Sequence, residues 1–405
     1  MKKKWAQHIK SALYTIRKNK AYALFCISGT AFTFIFVVFL AQLAFTALSN
    51  YPPSIHADRT IVVSHFTDNN GKNIGGLSRL EIDFLLQDIK EYTSYSIINQ
   101  GTVNALINDR FRIFSVAYVN TEFWEMNSYR FIAGRPFTKE ECDARKNGVI
   151  ITKNLAKSYF RSLDVVGRKI EVRGADFEIL GVVDDFSFIS SPTGASEIWF
   201  PYTFYPFSNN PFTLHVFFSQ PTAMQQAKEM VGKAVEQSFS KKNVSVYTGN
   251  LSTVKEQRIG QSGDSVLGFG IGTLILLLLL IPAINILTLK LAYTRNRAEE
   301  IAIRRTFGAG KLSSFFQLLL EDLLLVMAGA LIGIIATKPA VSMIQRTFFD
   351  IPMLGSASLI SGVDFFIIAG VIVPLMLLFL FMFGGIPAYL TAKRNIADVL
   401  KGGMR

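Results

Sequence analysis

The chain has 405 residues, is half hydrophobic with 35 Phe, has a mean hydropathy of +0.32, and is only 18% charged. Soluble domains approach one quarter charged, so an ordinary water-soluble globule is a poor fit. The net charge of +12 is confined to short flanks of apolar runs, where it acts as an orientation signal and leaves no call for nucleic-acid binding.

The first twenty residues, "MKKKWAQHIKSALYTIRKNK", hold seven Lys/Arg and no acid. Ala21 to Ser49 then contains no charged residue. This exceeds the roughly 20 residues that span a hydrocarbon core of about 30 Å, and predicts transmembrane helix 1 over 21–48. A cleaved signal peptide ending at "ALS" is the alternative. Its apolar region would be only about 7–15 residues, so the segment is read as a retained anchor. A 29-residue helix reaches about 43 Å, which fits either an outward stalk or a tilted span.

Residues 49–263 form the predicted extracytoplasmic domain with its stalk; from 49 to 264 there are 23 Lys/Arg and 23 Asp/Glu. Strand and helix signals alternate there, as in an α+β fold. "LSRLEIDFLLQDIKEY" has a capping box, Ser78 with Glu81, and a helical stripe at Ile82, Leu85, Leu86 and Ile89. "KIEVRGADFEILGVV" reads as a hairpin turning at Gly174. "AMQQAKEMVGKAVEQSF" predicts an amphipathic helix with Ala227, Met230, Val231, Ala234 and Val235 on its apolar face. The polar "LSTVKEQRIGQSGDS" reads as a returning stalk.

Three more spans follow: transmembrane helix 2 at 264–290, helix 3 at 314–337 and helix 4 at 363–388. Between them lie a cytoplasmic segment at 291–313 and a short external loop at 338–362, with a cytoplasmic tail at 389–405. Ser265–Leu289 and Phe365–Ala392 carry no charge, and Leu312–Thr337 carries only Glu321 and Asp322. Residues 1–20, 290–311 and 391–405 hold seven, six and four Lys/Arg against none, two and one acids, which places both termini and the 291–313 segment inside. Pro282 with Asn285, and Pro374, are expected to kink their helices. Gly329 and Gly333 suit close helix packing. Glu321 and Asp322, as intramembrane charges, either serve function, pair with Arg304 or Arg305, or reach the inner interface.

Chemistry is hard to find. His8, His56, His65 and His215 show no metal spacing, and Cys26 and Cys142 lie in different compartments, so no internal disulfide is expected. Asp184–Asp185 is either an acidic site or loop charge. "GFGIG" at 268–272 opens an apolar span without a preceding strand. "FGAGK" at 307–311 has Arg305 where a P-loop needs Gly and Leu312 where it needs Ser or Thr. No cofactor, metal or catalytic centre is expected on this chain.

The segment "RNRAEEIAIRRTFGAGK" (295–311) puts seven charges between two apolar runs. As a short helix broken by Gly308 and Gly310 it suits a soluble partner, with lipid-surface binding as the alternative. "NRAEEIAIRRTFGAGKLSSFFQLLLEDLLL" resembles the region after the second span in MacB/FtsX-type ABC transporter permeases. The family pattern E-I-x-I-R-x-x-x-G-A followed by Q-x-x-x-E is matched by Glu300, Ile301, Ile303, Arg304, Gly308, Ala309, Gln317 and Glu321. The tail resembles the family's P-A-x-x-A segment at Pro387, Ala388 and Ala392, with Ile396 where a proline is usual. "VNTEFWEMNSYRFIAGRPFTKEE", "GVIITKNLAKSYF", "DVVGRKI" and "FEILGVVDDFSF" are similar to successive blocks of the MacB-type periplasmic core domain.

The resemblance implies one plus three transmembrane helices around an α+β outer domain, in the bacterial cytoplasmic (inner) membrane. It implies a permease that forms a homodimer, or a heterodimer with a related permease, and docks a separate ABC ATPase. The coupling contacts would be Glu299, Glu300, Ile301, Arg304, Arg305, Gly308 and Lys311. ATP hydrolysis would then move the outer domain by mechanotransmission, for efflux or extrusion, with a periplasmic adaptor and outer-membrane channel as candidate partners beside membrane lipid. The alternatives are an FtsX-like regulator of a cell-wall hydrolase, LolE-like lipoprotein extraction, and a standalone membrane-anchored adhesion or structural protein.

Overall fold

The computed structural model describes residues 10–260, 310–348 and 362–389, apart from 11–12, 15, 65, 68–72, 108–109, 206–211, 221–223, 241–250 and 386–388. The second span, most of the 291–313 segment and nearly all of the tail lie outside these residues. The charge-free run after Lys20 forms one helix, α1 (Lys20–Leu48). The chain divides into two units: residues 1–42, 264–342 and 362–405 in one, and 43–263 with 343–361 in the other. The last residues of α1, from Leu43 on, therefore group with the outer unit.

The outer unit is built on twelve strands. These are β1 (Thr60–Val63), β2 (Phe66–Thr67), β3 (Asn73–Gly75), β4 (Ser94–Ile107), β5 (Arg110–Val119) and β6 (Phe131–Gly134), then β7 (Gly148–Thr152), β8 (Lys169–Val172), β9 (Ala175–Val183), β10 (Ile198–Pro201), β11 (Thr213–Phe217) and β12 (Ser252–Thr253). Ten of them make one mixed sheet in the order β12-β1-β11-β4-β5-β10-β7-β9-β6, with β8 paired to β9. β5–β10 and β7–β9 are parallel; the other pairs are antiparallel.

Three helices complete the frame. α2 (Arg79–Asp88) starts at Ser78, whose hydroxyl accepts from the Glu81 amide while the Glu81 carboxylate accepts from the Ser78 amide. α3 is Met224–Ser240 and α4 is Val254–Ile259. Ile82 and Leu85 of α2 and Val231 and Val235 of α3 pack with Ile97 and Leu214 of the sheet in one core. Side chains alternate across a strand, so Ile97 enters this core while its neighbour Ile98 enters another. That second cluster is aromatic: Phe123, Trp124 and Phe137 surround the fully buried Trp199, with the two indoles 5.9 Å apart. Truncating a side chain of that size costs about 3–5 kcal/mol. The hairpin predicted at Gly174 is present, with Val172 opposite Ala175 and both turn residues at positive φ, Arg173 at 54° and Gly174 at 76°.

Two expectations need correction. The segment 251–260 is not a stalk: Ser252 and Thr253 pair with Val62 and Ile61, and α4 follows directly. The third apolar helix, α5 (Lys311–Phe348), continues past residue 337 through Pro339 and takes up the first part of the expected external loop.

Gly134 has φ +70°, and a Cβ there would run into the Leu180 carbonyl; Gly167 has φ +83° in open space. Gly134→Ala is expected to lower outer-unit stability by about 2–4 kcal/mol, and Gly167→Ala by about 1 kcal/mol, in thermal unfolding of the solubilised chain. Equal costs at the two sites would show that the β6–β9 approach has slack.

Candidate functional site

Among the described residues, two helices are long and apolar enough to cross a membrane, Lys20–Leu48 and Phe315–Met343, and Phe365–Phe379 is a shorter apolar helix. The last belongs to the helical run Phe365–Gly385 (α6), in which α turns alternate with π turns at Ile368–Ile372 and Leu380–Gly385. Pro374 follows the first π turn. It lacks the N–H for an ordinary i→i−4 bond, and a wider turn ahead of it takes up that gap.

α1 and α5 meet at small residues. A Cβ on Gly329 would lie 2.6 Å from the Thr30 Cβ, and one on Gly333 2.7 Å from the Phe34 Cβ and 2.9 Å from the Ala31 carbonyl oxygen. The missing side chains therefore let the two backbones touch, at the i, i+4 spacing that gives a flat helix face. Hydroxyls along the seam are satisfied locally: Thr33 donates to the Gly29 carbonyl at 2.9 Å and Thr337 to the Gly333 carbonyl at 2.8 Å. Phe34, Val38, Ala330 and Ile372 bring α6 into the same cluster. Near the end of this seam the fully buried Gln42 donates to the Asp364 carboxylate at 2.9 Å and accepts from the Asp364 amide at 3.0 Å. In a medium without water, such reciprocal pairs are worth more than their number suggests.

Glu321 and Asp322 are each only 5% exposed. Glu321 shares a face of α5 with Leu325 and Gly329, one and two turns on, so both acids belong to the buried side of the helix. Lys311 is the first residue of α5. Glu299, Glu300, Ile301, Arg304, Arg305 and Gly308 lie outside the described residues, as do any pairings of Arg304 or Arg305 with the α5 acids.

In the outer unit, the acidic pair is occupied by cations. Lys153 Nζ lies 2.6 Å from Asp184 and 4.0 Å from Asp185, and Arg130 lies 3.7 Å from Asp184. Burial opposes ionisation of Asp184, but the Lys153 bond outweighs it and holds the carboxyl below its ordinary range. This is loop charge with partners. Glu141 behaves similarly: Arg135 grips it through both oxygens, at 2.8 and 2.9 Å, and holds it at about 2.

Sequence reading missed a polar cluster at the edge where the chain enters and leaves this unit. Thr253 and Glu256 form a capping box that starts α4, a signal present in "STVKE" but read as stalk. Lys255 donates its amide to the Ala57 carbonyl at 2.9 Å, and Val254 packs on Ala57 and Val62. Arg258 then donates through Nη2 to the Ser190 carbonyl at 2.6 Å and through Nη1 to the Ser49 carbonyl at 3.4 Å. Ser190 donates its hydroxyl to the Pro52 carbonyl at 2.6 Å. Alongside, Tyr129 bonds Ser191 and Thr193 at 2.9 and 3.3 Å, and Trp199 donates to Thr193 at 3.1 Å. Burial pulls the Arg258 guanidinium down to about 10, still charged at neutral pH, and pushes the Tyr129 phenol up. His215 is buried in β11; burial first and Arg258 second lower it to about 4, so it is neutral.

A MacB-like periplasmic core domain model matches residues 23–234, and an FtsX-like permease C-terminal model matches residues 272–396. The chain is 23% identical over 356 residues to the uncharacterized ABC transporter permease YknZ of Bacillus subtilis, covering 84% of this chain and 79% of that one. It is 25% identical over 226 residues to the pyoverdine export ATP-binding/permease protein PvdT of Pseudomonas aeruginosa, and 25% over 230 residues to the macrolide export ATP-binding/permease protein MacB of Chromobacterium violaceum. It covers 34% of each of those two longer proteins. Among solved structures, the extracellular domain of YknZ from Gram-positive bacteria matches 46% of this chain and 99% of that chain at 15% identity and a TM-score of 0.39. The periplasmic region of MacB from Actinobacillus actinomycetemcomitans matches 47% and 88% at 13% identity and the same score.

Two outcomes follow from the geometry. Gly333→Val is expected to separate α1 from α5 and lower the yield of folded, solubilised chain several-fold, whereas Gly370→Val, with nothing within 4 Å of its Cβ position, leaves it unchanged. Size-exclusion chromatography after solubilisation reads this. His215, lowered from 6.5 to about 4, gives stability that is present above pH 6.5 and lost as pH falls towards 4, about 3 kcal/mol in all. Tryptophan-monitored unfolding of the solubilised chain between pH 7.5 and 4 should show this slope shrinking in His215→Leu.

Proposed function

The chain belongs to the MacB/FtsX-type ABC transporter permeases, membrane-embedded with an extracytoplasmic domain, and on that premise we propose that it transmits work from a separate ATPase to this domain. The observation that carries the reading is the order of parts. An apolar helix leads into a MacB-like domain, and an FtsX-like region follows in which seven charges at 295–311 stand between apolar runs. Those charges have no nucleotide motif beside them, and they are too many to leave inside a bilayer. A cytoplasmic contact with a soluble motor accounts for both facts.

In this reading Glu299, Glu300, Arg304 and Arg305 make the ion pairs with the ATPase, Ile301 supplies an apolar anchor, and Gly308 breaks the segment before Lys311 opens α5. Four transmembrane helices, one before the outer domain and three after it, put both termini in the cytoplasm. The working unit is a dimer of this chain or a pairing with a related permease. ATP-driven closure of the motors moves the helices and with them the outer domain, extruding a substrate that is already outside. A periplasmic adaptor and an outer-membrane channel are the partners that would complete an efflux route.

The test is affinity isolation of the solubilised protein from its native host beside an Arg304→Glu/Arg305→Glu variant. An ABC ATPase, with its hydrolytic activity, is expected to accompany the wild type and to fall at least tenfold in the variant, since reversing two interfacial charges costs several kcal/mol. If no ATPase accompanies the wild type under conditions that keep other membrane complexes intact, the chain has no motor and the reading fails.

A further inference from the structure

We propose that Arg258 is a positioning residue that latches the two ends of the outer domain to each other, so that the segment entering at Ser49 and the segment leaving through α4 move as one body. The functional consequence rests on the coupling role proposed above; the latch itself rests on geometry alone.

The entry and exit segments are fastened in series. β12 pairs with β1, the Lys255 amide bonds the Ala57 carbonyl, and Val254 packs on Ala57 and Val62. Beyond these ties, the guanidinium reaches the Ser49 carbonyl, one residue past the end of α1, and the Ser190 carbonyl of the Ser/Thr-rich loop. That loop is tied back to the entry segment by Ser190 Oγ on the Pro52 carbonyl. The three segments thus form a closed ring of hydrogen bonds: 49–52, 190 and 258.

The chemistry of the residue fits this role. Among the described residues no carboxylate lies within ion-pair distance of Arg258, which is half-buried. Its charge is spent on two backbone carbonyls from different segments, a task for which a planar fork with several N–H groups is suited and a single ammonium is not. Charge-assisted bonds to carbonyls are stronger than neutral ones. Carbonyl acceptors also make the latch indifferent to the side chains at 49 and 190, so its strength lies in the arginine.

The test is hydrogen exchange on the full-length chain reconstituted with its co-purified ATPase, comparing wild type, Arg258→Met and Arg258→Lys. Without ATP, Arg258→Met is expected to speed exchange about 10- to 100-fold at amides in 50–59 and 188–194, with β4 and β5 unchanged and Arg258→Lys in between. With ATP, the wild type should show nucleotide-dependent exchange changes in the outer domain. Both variants should still bind the ATPase and hydrolyse ATP, while those changes shrink in the order wild type, Lys, Met. Unaltered exchange at 50–59 and 188–194, or a rise shared equally by β4 and β5, overturns the latch. So does a full nucleotide response in Arg258→Met. If no ATPase accompanies the wild type, the coupling role falls, and the nucleotide-free comparison still decides the latch.

Discussion

A folded domain threaded between two membrane segments has to bring its first and last residues to one edge, and in this chain the β1–β12 pairing does so. Ile61 faces Thr253 and Val62 faces Ser252, which closes a loop of roughly 190 residues on two ladder positions. Closure on that scale costs about 5 kcal/mol, because the entropy grows only with the logarithm of loop length. Two ladder positions cannot offset that. The cost is met by burial elsewhere: the α2–α3 core, the cluster around Phe114 and Val149, and the aromatic cluster around Trp199. The sheet order follows from the same demand, since β1, β11 and β12 collect the chain's two ends while β6 to β10 are inserted beyond β4 and β5.

The apolar helices answer a different constraint. Lipid tails solvate leucine as well as another helix does, so the hydrophobic effect gives little reason for α1 and α5 to meet. What remains is shape and satisfied polar groups. Gly329 and Gly333 supply the first, and the Gln42–Asp364 pair the second. The buried Glu321 and Asp322 sit on the same side of α5, where uncompensated charge would be expensive. Small residues and a few exact partners therefore carry the seam, and large apolar side chains such as Leu331 and Ile335 are left to face outward.

Much of this was legible locally. Charge-free runs announced the apolar helices, the Ser78–Glu81 box announced α2, and alternation around Gly174 announced the β8–β9 hairpin, because each signal is complete within about fifteen residues. Gly329 and Gly333 were legible as small residues, but not their partners Thr30 and Phe34, which are some 300 positions away in sequence. Arg258 was missed for the same reason. In "LSTVKEQRIGQSGDS" it looks like one charge among several in a polar connector, and its partners at 49 and 190 are backbone carbonyls, which no residue code can display. The capping box in that stretch was the available sign that the connector is folded.

The charged groups of the outer unit show how little is left over for chemistry. Asp184 is taken by Lys153, Glu141 by Arg135 and Glu256 by Lys228, and His215 is neutral inside the sheet. In a protein proposed to transmit movement, the useful property is a graded order of strengths. A domain of this size holds together by about 5–15 kcal/mol, whereas two charge-assisted bonds hold the latch with about 3–6 kcal/mol at most. Force applied at the entry and exit segments therefore strains the ring around Arg258 before it threatens the sheet behind it. The ring is strong enough to keep the two ends together through thermal motion, and weak enough to release without unfolding the domain.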